Sequence, residues 1–561
     1  MSSGREPLAP LEAAPAARAD AGAGRTWGWG PEGPGRPELT PAGAALLRRV
    51  LHVEGQPAAR VRLEGLELPE PRLGDAARQS LEAASDSLAL DSPARIRHAA
   101  GKSYEDLVRL RAGEVGGAPD AVVSPSSRDE VAAVLAACAK HEVAVVPFGG
   151  GTSVVGGVEP ERGRFAAVLA LDLGRLDRMV ALDERSLTAT FEAGVRGPAA
   201  EALLEARGLT LGHFPQSFEY ATIGGYVATR SAGQASSGYV RIDDLVLGLR
   251  CATPAGELRI DPVPASAAGP SLLELVVGSE GTLGVITEAT LGVHRRPEKR
   301  RYEAWSFRSF TSGAEAFRDL VQAGAGPDVA RLSDAGETGL ALGQAAASGG
   351  LGARGLGRYL RLRGHEQPCL AVVGWEGDRD EVTRRRDRSA QSLRAGGGVA
   401  LGSRPGLAWA RSRFEGPYVR DDLLGIGVLA ETLETATTWD RLESLHRGVS
   451  AALHAALSER GTPPLVGCHI SHLYRSGASL YFTVLARAQR GAEVEQWHSA
   501  KAVASEAIVA GGGTITHHHA VGRVHLPWMA AEIGELGREA LRSVKGRLDP
   551  TGIMNPGKLL G

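Results

Sequence analysis

The sequence predicts an α+β protein of at least two domains, and three observations support this prediction. The chain has 561 residues, more than a single hydrophobic core usually holds. Short β-branched runs alternate with capped helical runs up to about residue 297, and longer strands and amphipathic helices follow from about Lys299. Hydrophobic residues make up 43% of the chain and charged residues 23%, as is typical of globular domains.

A change of texture along the chain defines five parts. The Ala-, Gly- and Pro-rich start favours a mobile tail, although Trp27 and Trp29 indicate that its end packs on something. A helical pattern follows, and PDAVVSPSSRDEVAAVLAACAKHEVAVV then predicts a strand, a Ser-capped helix and a buried strand. The five predicted parts are a mobile tail (1–45), a helical region (46–116), a first domain (117–297), an α+β second domain (298–545) and a turn-rich tail that returns to the first domain (546–561).

Charge and cysteine usage narrow the class of protein. The formal net charge is −2, so we expect no nucleic-acid partner. Cys138, Cys251, Cys369 and Cys468 lie far apart without a CxxC pair, which argues against a disulfide framework or a zinc site. We find neither an apolar run long enough to span a membrane nor a signal-peptide core, and the sequence predicts a cytoplasmic location.

A glycine-rich loop follows the predicted buried strand. In Pro147-Phe148-Gly149-Gly150-Gly151-Thr152-Ser153 the consecutive glycines let backbone N–H groups converge on an anion, and two hydroxyls add donors. The loop matches neither GxGxxG nor GxxxxGK[ST], so neither a Rossmann site nor a P-loop is indicated. Alone, such a loop is equally typical of a structural turn.

Three later segments have the same character. QSFEYATIGG (216–225) and TRSAG (229–233) combine paired glycines with hydroxyls, which suits a flat ring with a polar edge. GSEGTLGVI (278–286) places small residues beside apolar ones and could line a channel. Taken singly, these segments are compatible with turns or a bulged strand. Their joint occurrence in this order indicates one binding site.

The four segments resemble the FAD-binding domain of the vanillyl-alcohol oxidase flavoprotein superfamily, from about Pro119 to Pro297. This resemblance implies a PCMH-type FAD-binding domain of two subdomains, followed by an α+β cap domain. We identify no histidine or cysteine where superfamily members tether the flavin, so non-covalent FAD is expected. The implied FAD contacts are Pro147, Phe148, Gly149, Gly150, Gly151, Thr152, Ser153, Gln216, Ser217, Phe218, Glu219, Tyr220, Ala221, Thr222, Thr229, Arg230, Ser231, Ala232, Glu280, Gly281, Thr282, Leu283, Gly284, Val285 and Ile286.

A second, more specific resemblance extends over roughly residues 27–561. WGWG, WEGDRDEV, YVRDDLLGIGVLAETLETATTWDRL, GASLYF and THHHAVG resemble the alkyldihydroxyacetonephosphate synthase family. The resemblance implies exchange of the acyl group of acyl-dihydroxyacetone phosphate for a long-chain alcohol, a small-molecule lipid substrate, peripheral contact with a membrane, and a homodimer. The alternatives are an FAD-linked oxidase or dehydrogenase of a hydroxylated anionic substrate, and a flavin-binding protein without turnover.

The resemblance also assigns candidate site residues. Tyr481 matches the family's acid/base residue, a role that requires a lowered phenol pKa; an apolar strand is equally typical of a core tyrosine. The consecutive residues His517, His518 and His519 match active-site histidines. Arg420 and Arg331 match arginines that could hold a phosphate. For Arg420 the alternative is an ion pair with its neighbours Asp421 and Asp422.

The sequence predicts no metal ion. Relatives that oxidise D-2-hydroxy acids show HxGDGNxH and EHG, which hold a divalent metal. Here tyrosines, Tyr474 and Tyr481, stand at both histidine positions, and His518 stands at the glutamate position. Adjacent histidines cannot all reach one ion without help from elsewhere. His469 and His472 have no assigned role.

Overall fold

The computed structural model describes residues 27–30, 38–54, 61, 66–115, 117–347 and 351–561. The predicted mobile tail lies largely outside these residues, and its boundary at 45 falls within the first helix. Trp27 and Trp29 are buried. The Thr40 side chain accepts from the backbone N–H of Gly43, and the proline at the first helical position has no N–H to satisfy. The N-terminal helices are α1 (Pro41–Val50), α2 (Asp75–Ala84), α3 (Ser92–Arg97) and α4 (Tyr104–Ala112).

The first domain contains two main sheets, each with its own core. Its helices are α5 (Arg128–His141), α6 (Gly197–Glu205), α7 (Ile223–Ala228), α8 (Ser236–Tyr239), α9 (Ile242–Leu245) and α10 (Leu272–Val276). Its strands are β1 (Ala121–Val123), β2 (Val143–Phe148), β3 (Ala167–Asp172), β4 (Met179–Asp183), β5 (Thr188–Glu192), β6 (Leu209–Thr210), β7 (Val246–Thr253), β8 (Gly256–Ile260), β9 (Val285–Gly292) and β10 (His294–Arg295).

The smaller main sheet is parallel, in the order β1-β3-β2, and the larger is antiparallel, in the order β4-β5-β9-β7-β8. The run Val143–Val146 is fully apolar because β2 is buried on both faces, as parallel strands usually are. β6 and β10 form a separate antiparallel pair. The two sheets form the two subdomains.

The second domain is built on a seven-stranded antiparallel sheet in the order β14-β11-β13-β12-β16-β17-β15. Its strands are β11 (Lys299–Phe307), β12 (Val329–Ser333), β13 (Cys369–Gly377), β14 (Val399–Gly402), β15 (Val428–Thr438), β16 (Leu465–Ile470) and β17 (Gly477–Arg487). Its helices are α11 (Phe310–Gln322), α12 (Ala335–Ala347), α13 (Leu351–Leu362), α14 (Arg379–Ala395), α15 (Ser403–Ser412), α16 (Gly416–Gly425), α17 (Leu442–Glu459), α18 (Glu493–Ala510) and α19 (Met529–Leu548), with a short 3-10 helix (Leu526–Trp528) before the last.

The end of the chain lies against the first domain. Met554 pairs with Val145 of β2, and the Asn555 amide donates to the Glu280 carbonyl over 2.7 Å.

The four cysteines are free and buried, and they belong to three separate cores: Cys138 beside the parallel sheet, Cys251 beside the first antiparallel sheet, and Cys369 and Cys468 in the cap.

The α+β class with an FAD-type domain and a cap is confirmed. Among the described residues, no helix is long and apolar enough to cross a membrane.

Candidate active site

A cavity of about 1030 Å³ lies where the first domain, the cap and α1 meet. All four predicted segments reach its wall. The predicted contacts that line it are Pro147, Phe148, Gly149, Gly150, Gly151, Thr152, Ser153, Gln216, Ser217, Ala221, Thr222, Thr229, Ser231, Ala232, Glu280, Gly281, Gly284 and Ile286. Gly224 and Gly225 of the second segment line it as well. A wall of glycine backbone and hydroxyl groups at this volume suits a cofactor as large as FAD.

Seven of the predicted contacts lie outside the cavity wall. Five of them contact other residues. Phe218 packs on Phe414, the Tyr220 ring packs edge-on against Trp29, and Glu219 accepts a hydrogen bond from Tyr418. Arg230 forms ion pairs with Glu274 and Asp243, and the Thr282 hydroxyl donates to the carbonyl of Ser279, while Leu283 and Val285 are buried. In a strand, successive side chains point to opposite faces of the sheet. A contiguous sequence segment therefore includes residues that lie behind the cavity wall and support it.

The glycines have a second role besides approach to an anion. A Cβ on Gly150 would lie 2.1 Å from the carbonyl oxygen of Tyr220, and one on Gly149 would lie 2.5 Å from Thr222 Oγ1. Side chains at these positions would therefore separate the first segment from the second. Gly151 adopts φ +64°, a conformation that favours glycine.

Glu280 connects the cofactor domain to the segment after the histidines. Its carboxylate accepts hydrogen bonds from the backbone N–H of Val521 at 2.8 Å and of Gly522 at 2.7 Å. Burial raises the pKa of this carboxyl to about 7, although both N–H groups act in the opposite direction. The residue was predicted as a cofactor contact, and it also fixes the position of the histidine turn.

Tyr481 lies on β17 inside the cavity. Its hydroxyl donates to Thr432 Oγ1 of β15 over 3.0 Å, and its ring stacks on His469 with 4.9 Å between centroids. Burial raises the pKa of the phenol to about 12. The lowered pKa expected for an acid/base role is therefore not found, and at neutral pH this residue is a proton donor.

The turn Thr516–His519 is bound to one buried carboxylate. Glu434 of β15 accepts hydrogen bonds from the backbone N–H of His517 at 2.6 Å, of His518 at 3.0 Å and of His519 at 2.8 Å, and from the Thr516 hydroxyl at 2.7 Å. Burial opposes ionisation, but the three imidazoles and the N–H groups hold the pKa of Glu434 well below its usual range. Sequence analysis missed this residue because it stands 82 or more positions away from the turn.

Burial keeps the imidazoles neutral. It lowers the pKa of His517 and His472 well below the usual value, and that of His519 to about 3. The ligand nitrogens of His472, His517 and His518 lie within 4.8 Å of one another, a group that could hold a transition metal. However, Nδ1 of His517 and Nδ1 of His518 are already 2.9 Å apart and hydrogen-bonded to each other. The absence of a metal stays a prediction.

Arg331 lies in the cavity, but neighbouring groups compensate its charge. One of its nitrogens pairs with Glu337, and another donates to His469 Nε2 at 2.9 Å. His469 Nδ1 in turn donates to Glu337 over 3.0 Å. Burial opposes ionisation of Glu337, yet Arg331 and His469 lower its pKa to about 2. His469, unassigned from sequence, completes this closed triad.

Arg420 is placed differently. Nη1 donates to the carbonyl of Lys102 over 2.6 Å, while Nε and Nη2 are buried without a hydrogen-bond partner in the part of the chain that is described. Asp421 is 3.9 Å away, too far for a hydrogen bond, and its other oxygen accepts from the backbone N–H of Trp29. Asp422 accepts from the backbone of the segment before α1. The alternative of an ion pair therefore holds in part, because Nη2 faces Asp421 as an ion pair without a hydrogen bond.

One part of the cavity wall, the apolar arm, consists of aliphatic side chains. The sequence shows that α1 is amphipathic but not that its apolar face lines this part of the cavity. The arm is lined by Leu46, Leu47 and Val50 of α1, Leu340 of α12, Leu423 of α16, Leu465 of β16 and Leu485 of β17. Val50 is 44% exposed, which places one end of the arm at the surface.

Comparisons with known proteins agree with this geometry. A family described as "FAD binding domain" matches residues 119–260, and "FAD linked oxidases, C-terminal domain" matches 296–559. Alkyldihydroxyacetonephosphate synthase of Trypanosoma brucei brucei is 36% identical over 85% of this chain and 78% of that protein. Its Dictyostelium discoideum counterpart is 34% identical over 85% and 79%. A solved structure of alkyldihydroxyacetonephosphate synthase aligns with a TM-score of 0.82 at 29% identity, covering 96% of this chain and 99% of the other. The chain is thus an FAD-dependent member of the alkyldihydroxyacetonephosphate synthase family.

Proposed function

We propose that the protein exchanges the acyl group of acyl-dihydroxyacetone phosphate for a long-chain alcohol and forms alkyl-dihydroxyacetone phosphate. The observation that supports this proposal is that one cavity combines three features beside the cofactor segments. They are an arginine with two nitrogens that lack a hydrogen-bond partner, a cluster of neutral imidazoles with a phenol, and an apolar arm. A phosphorylated head group with a long chain matches each of these features.

FAD would be held without a covalent bond by the loop Pro147–Ser153 and the hydroxyls of Thr222, Thr229 and Ser231, all in the cavity wall. Bound FAD supplies an electron-accepting ring that can take up and return the electron pair of a substrate carbon without net oxidation. The protein then has to hold the substrate beside this ring and move protons.

Arg420 would hold the phosphate. A guanidinium with two free N–H groups in a buried site suits a tetrahedral anion, and a charge-assisted contact of this kind contributes about 1.5–3 kcal/mol. Arg331 is a weaker candidate because Glu337 already neutralises it. We assign Arg331 a role in positioning His469 and, through ring stacking, Tyr481.

The proton steps would divide between the imidazoles and the phenol. A neutral imidazole accepts a proton from the carbon next to the carbonyl, and His518 Nε2 suits this because its Nδ1 is paired with His517. Tyr481, which is protonated at neutral pH, gives its proton to the departing carboxylate and recovers one from the hydroxyl of the incoming alcohol, so that the phenol is restored. Glu434 and His519 stabilise the arrangement while the charge moves.

The apolar arm would hold the acyl and alkyl chains in turn. Because its surface end includes the exposed Val50, we infer that the protein works in the cytoplasm at a membrane surface, where such chains are available. A homodimer is also part of the proposal, by similarity to the family.

One experiment separates this function from oxidation of a hydroxylated anion. The purified protein is incubated without oxygen with palmitoyl-dihydroxyacetone phosphate and hexadecanol, and the products are identified by mass spectrometry. We expect hexadecyl-dihydroxyacetone phosphate and free palmitate in equal amounts, with no external electron acceptor. If no ether forms, and a 2-hydroxy acid bleaches the flavin until an acceptor restores its colour, the oxidase alternative replaces the proposal.

A further inference from the structure

We propose that Tyr474, acting through His517 and His518, conducts protons between the catalytic cavity and a separate crevice on the surface of the cap. This inference rests on the proposed exchange, in which a proton leaves the substrate carbon and later returns. Tyr474 does not line the main cavity, so its part is to position and relay rather than to touch substrate.

A continuous hydrogen-bonded path connects the two spaces. His518 lines the main cavity, whereas His517 and Tyr474 do not. Nδ1 of His518 lies 2.9 Å from Nδ1 of His517, and Nε2 of His517 lies 2.6 Å from the hydroxyl of Tyr474. Both distances are within hydrogen-bond range, so three side chains form one chain of two bonds.

The outer residue of this path borders a surface crevice. Tyr474 lines a second cavity of about 580 Å³, together with Asp440 and Arg441. The side chains of Asp440 and Arg441 are 76% and 59% exposed, so water enters this crevice. Burial raises the pKa of the Tyr474 phenol to about 12, although Arg241, which contacts its hydroxyl, acts in the opposite direction.

The inner groups are held rigidly enough to relay. Glu434 fixes the backbone of His517 and His518, and the His472 ring lies 4.9 Å from the His517 ring. Both imidazoles are neutral because they are buried, and a neutral imidazole offers one donor and one acceptor nitrogen. A relay needs this combination at every station.

The transfer balances at each atom. His518 takes the substrate proton on Nε2 and gives its Nδ1 proton to Nδ1 of His517. His517 gives its Nε2 proton to the Tyr474 oxygen, which releases its own proton to water in the crevice. Each imidazole is left as its other tautomer, and the returning proton at the end of the exchange restores the first.

The test measures the rate of ether formation from palmitoyl-dihydroxyacetone phosphate and hexadecanol by mass spectrometry. Tyr474→Phe, which cannot pass a proton on, should lower kcat at least about tenfold and leave the KM for palmitoyl-dihydroxyacetone phosphate unchanged. Tyr474→His should restore kcat, and Tyr359→Phe, at an exposed site on α13, should behave as wild type.

Failure of the relay can be distinguished from failure of the proposed function. Absence of any ether from wild type contradicts the function, whereas a wild-type kcat in Tyr474→Phe overturns the relay alone. A measurement without substrate tests the relay even if wild type forms no ether. In protein labelled with ¹⁵N-histidine, the His517 ring proton should exchange with water at least about tenfold more slowly in Tyr474→Phe, and an unchanged rate overturns the relay. One equivalent of tightly bound metal on the histidines would also overturn it, because their nitrogens would then be coordinated.

Discussion

At the scale of single residues, the two arginines show how much depends on what each side chain already contacts. Arg331 is matched by Glu337 and His469, while Arg420 has two buried nitrogens to offer. From sequence both were candidates, and the contacts that set them apart could not be foreseen, since partners that lie far apart along the chain decide whether a charge is available.

We expect Arg420→Ala to raise the KM for the phosphorylated substrate about tenfold or more, because a charge-assisted contact of about 1.5–3 kcal/mol is lost. FAD content should not change. Steady-state kinetics and the flavin absorbance of the purified variant check both points. Arg420→Lys, which keeps the charge but loses the planar fork, should recover part of the affinity. A normal KM in Arg420→Ala would show that the phosphate binds elsewhere.

Tyr481→Phe removes only the hydroxyl that contacts Thr432, so folding and FAD binding should persist. Ether formation should fall at least about 100-fold, because general acid–base groups contribute about 10²–10⁴-fold. The measurement is kcat for the exchange, with the melting temperature as the control. If the rate stays within a factor of a few of wild type, the phenol is a packing residue, as its place on an apolar strand also allows.

At the scale of elements, local patterns identified the cofactor loop and the strand of Tyr481, but not the groups that hold them. Glu434 could not be identified from the sequence because its role depends on the pairing of β15 with β17, which places it directly opposite Tyr481. α1 was assigned partly to a tail because its apolar face is explained only by residues of the cap far along the chain, such as Leu340 and Leu423. Sequence periodicity indicates that a face is buried but does not name its partner.

The apolar arm makes a prediction about chain length. Leu340→Trp on α12 adds bulk to the arm, so the rate with hexadecanol should fall more than about tenfold relative to the rate with octanol. The ratio of the two rates, measured in one mixture, is independent of enzyme concentration. Leu536→Trp, on an exposed face of α19, is the matched control. An unchanged ratio in Leu340→Trp would place the chain elsewhere.

At the scale of the whole molecule, the two-subdomain FAD domain and the cap were predictable because each carries a continuous motif set. The contribution of α1 to the cavity wall was not, since it depends on side chains from both ends of the chain.

The purified protein should be yellow, and acid or heat should release all of its flavin as free FAD. The reason is that the four segments bind by backbone and hydroxyl groups, and we identified no tethering residue. Absorbance of the supernatant after precipitation, compared with that of the pellet, is the measurement. Flavin that remains with the pellet would demonstrate a covalent bond.

The buried histidines predict loss of stability in acid. Burial lowers the pKa of His213, His519 and His525 to about 3, below the value of about 6.5 in the unfolded chain. The unfolded state therefore takes up protons first as the pH falls. Their contribution is complete above pH about 6.5 and decreases below it, by about 2 kcal/mol for each group at pH 5.

Urea unfolding at pH 7.5, 6 and 5, followed by circular dichroism, checks this. Glu280, whose pKa is raised to about 7, acts in the opposite direction, as do Glu159 and Glu201, whose pKa burial also raises. The buried His472, His517 and His518, whose pKa is lowered, add to the loss of stability in acid. The free energy of unfolding should decrease by several kcal/mol between pH 7.5 and 5, and a constant value would contradict the burial of these imidazoles.

The distribution of the cysteines has a practical consequence. Each of the three cores contains at least one thiol, none of them paired or exposed, and burial raises the pKa of every one. A brief pulse of an alkylating reagent during unfolding would therefore mark Cys138, Cys251 and the pair Cys369 and Cys468 only after their own core has opened. Peptide mass spectrometry of such samples would reveal the order in which the three cores unfold, and no engineered cysteine is needed.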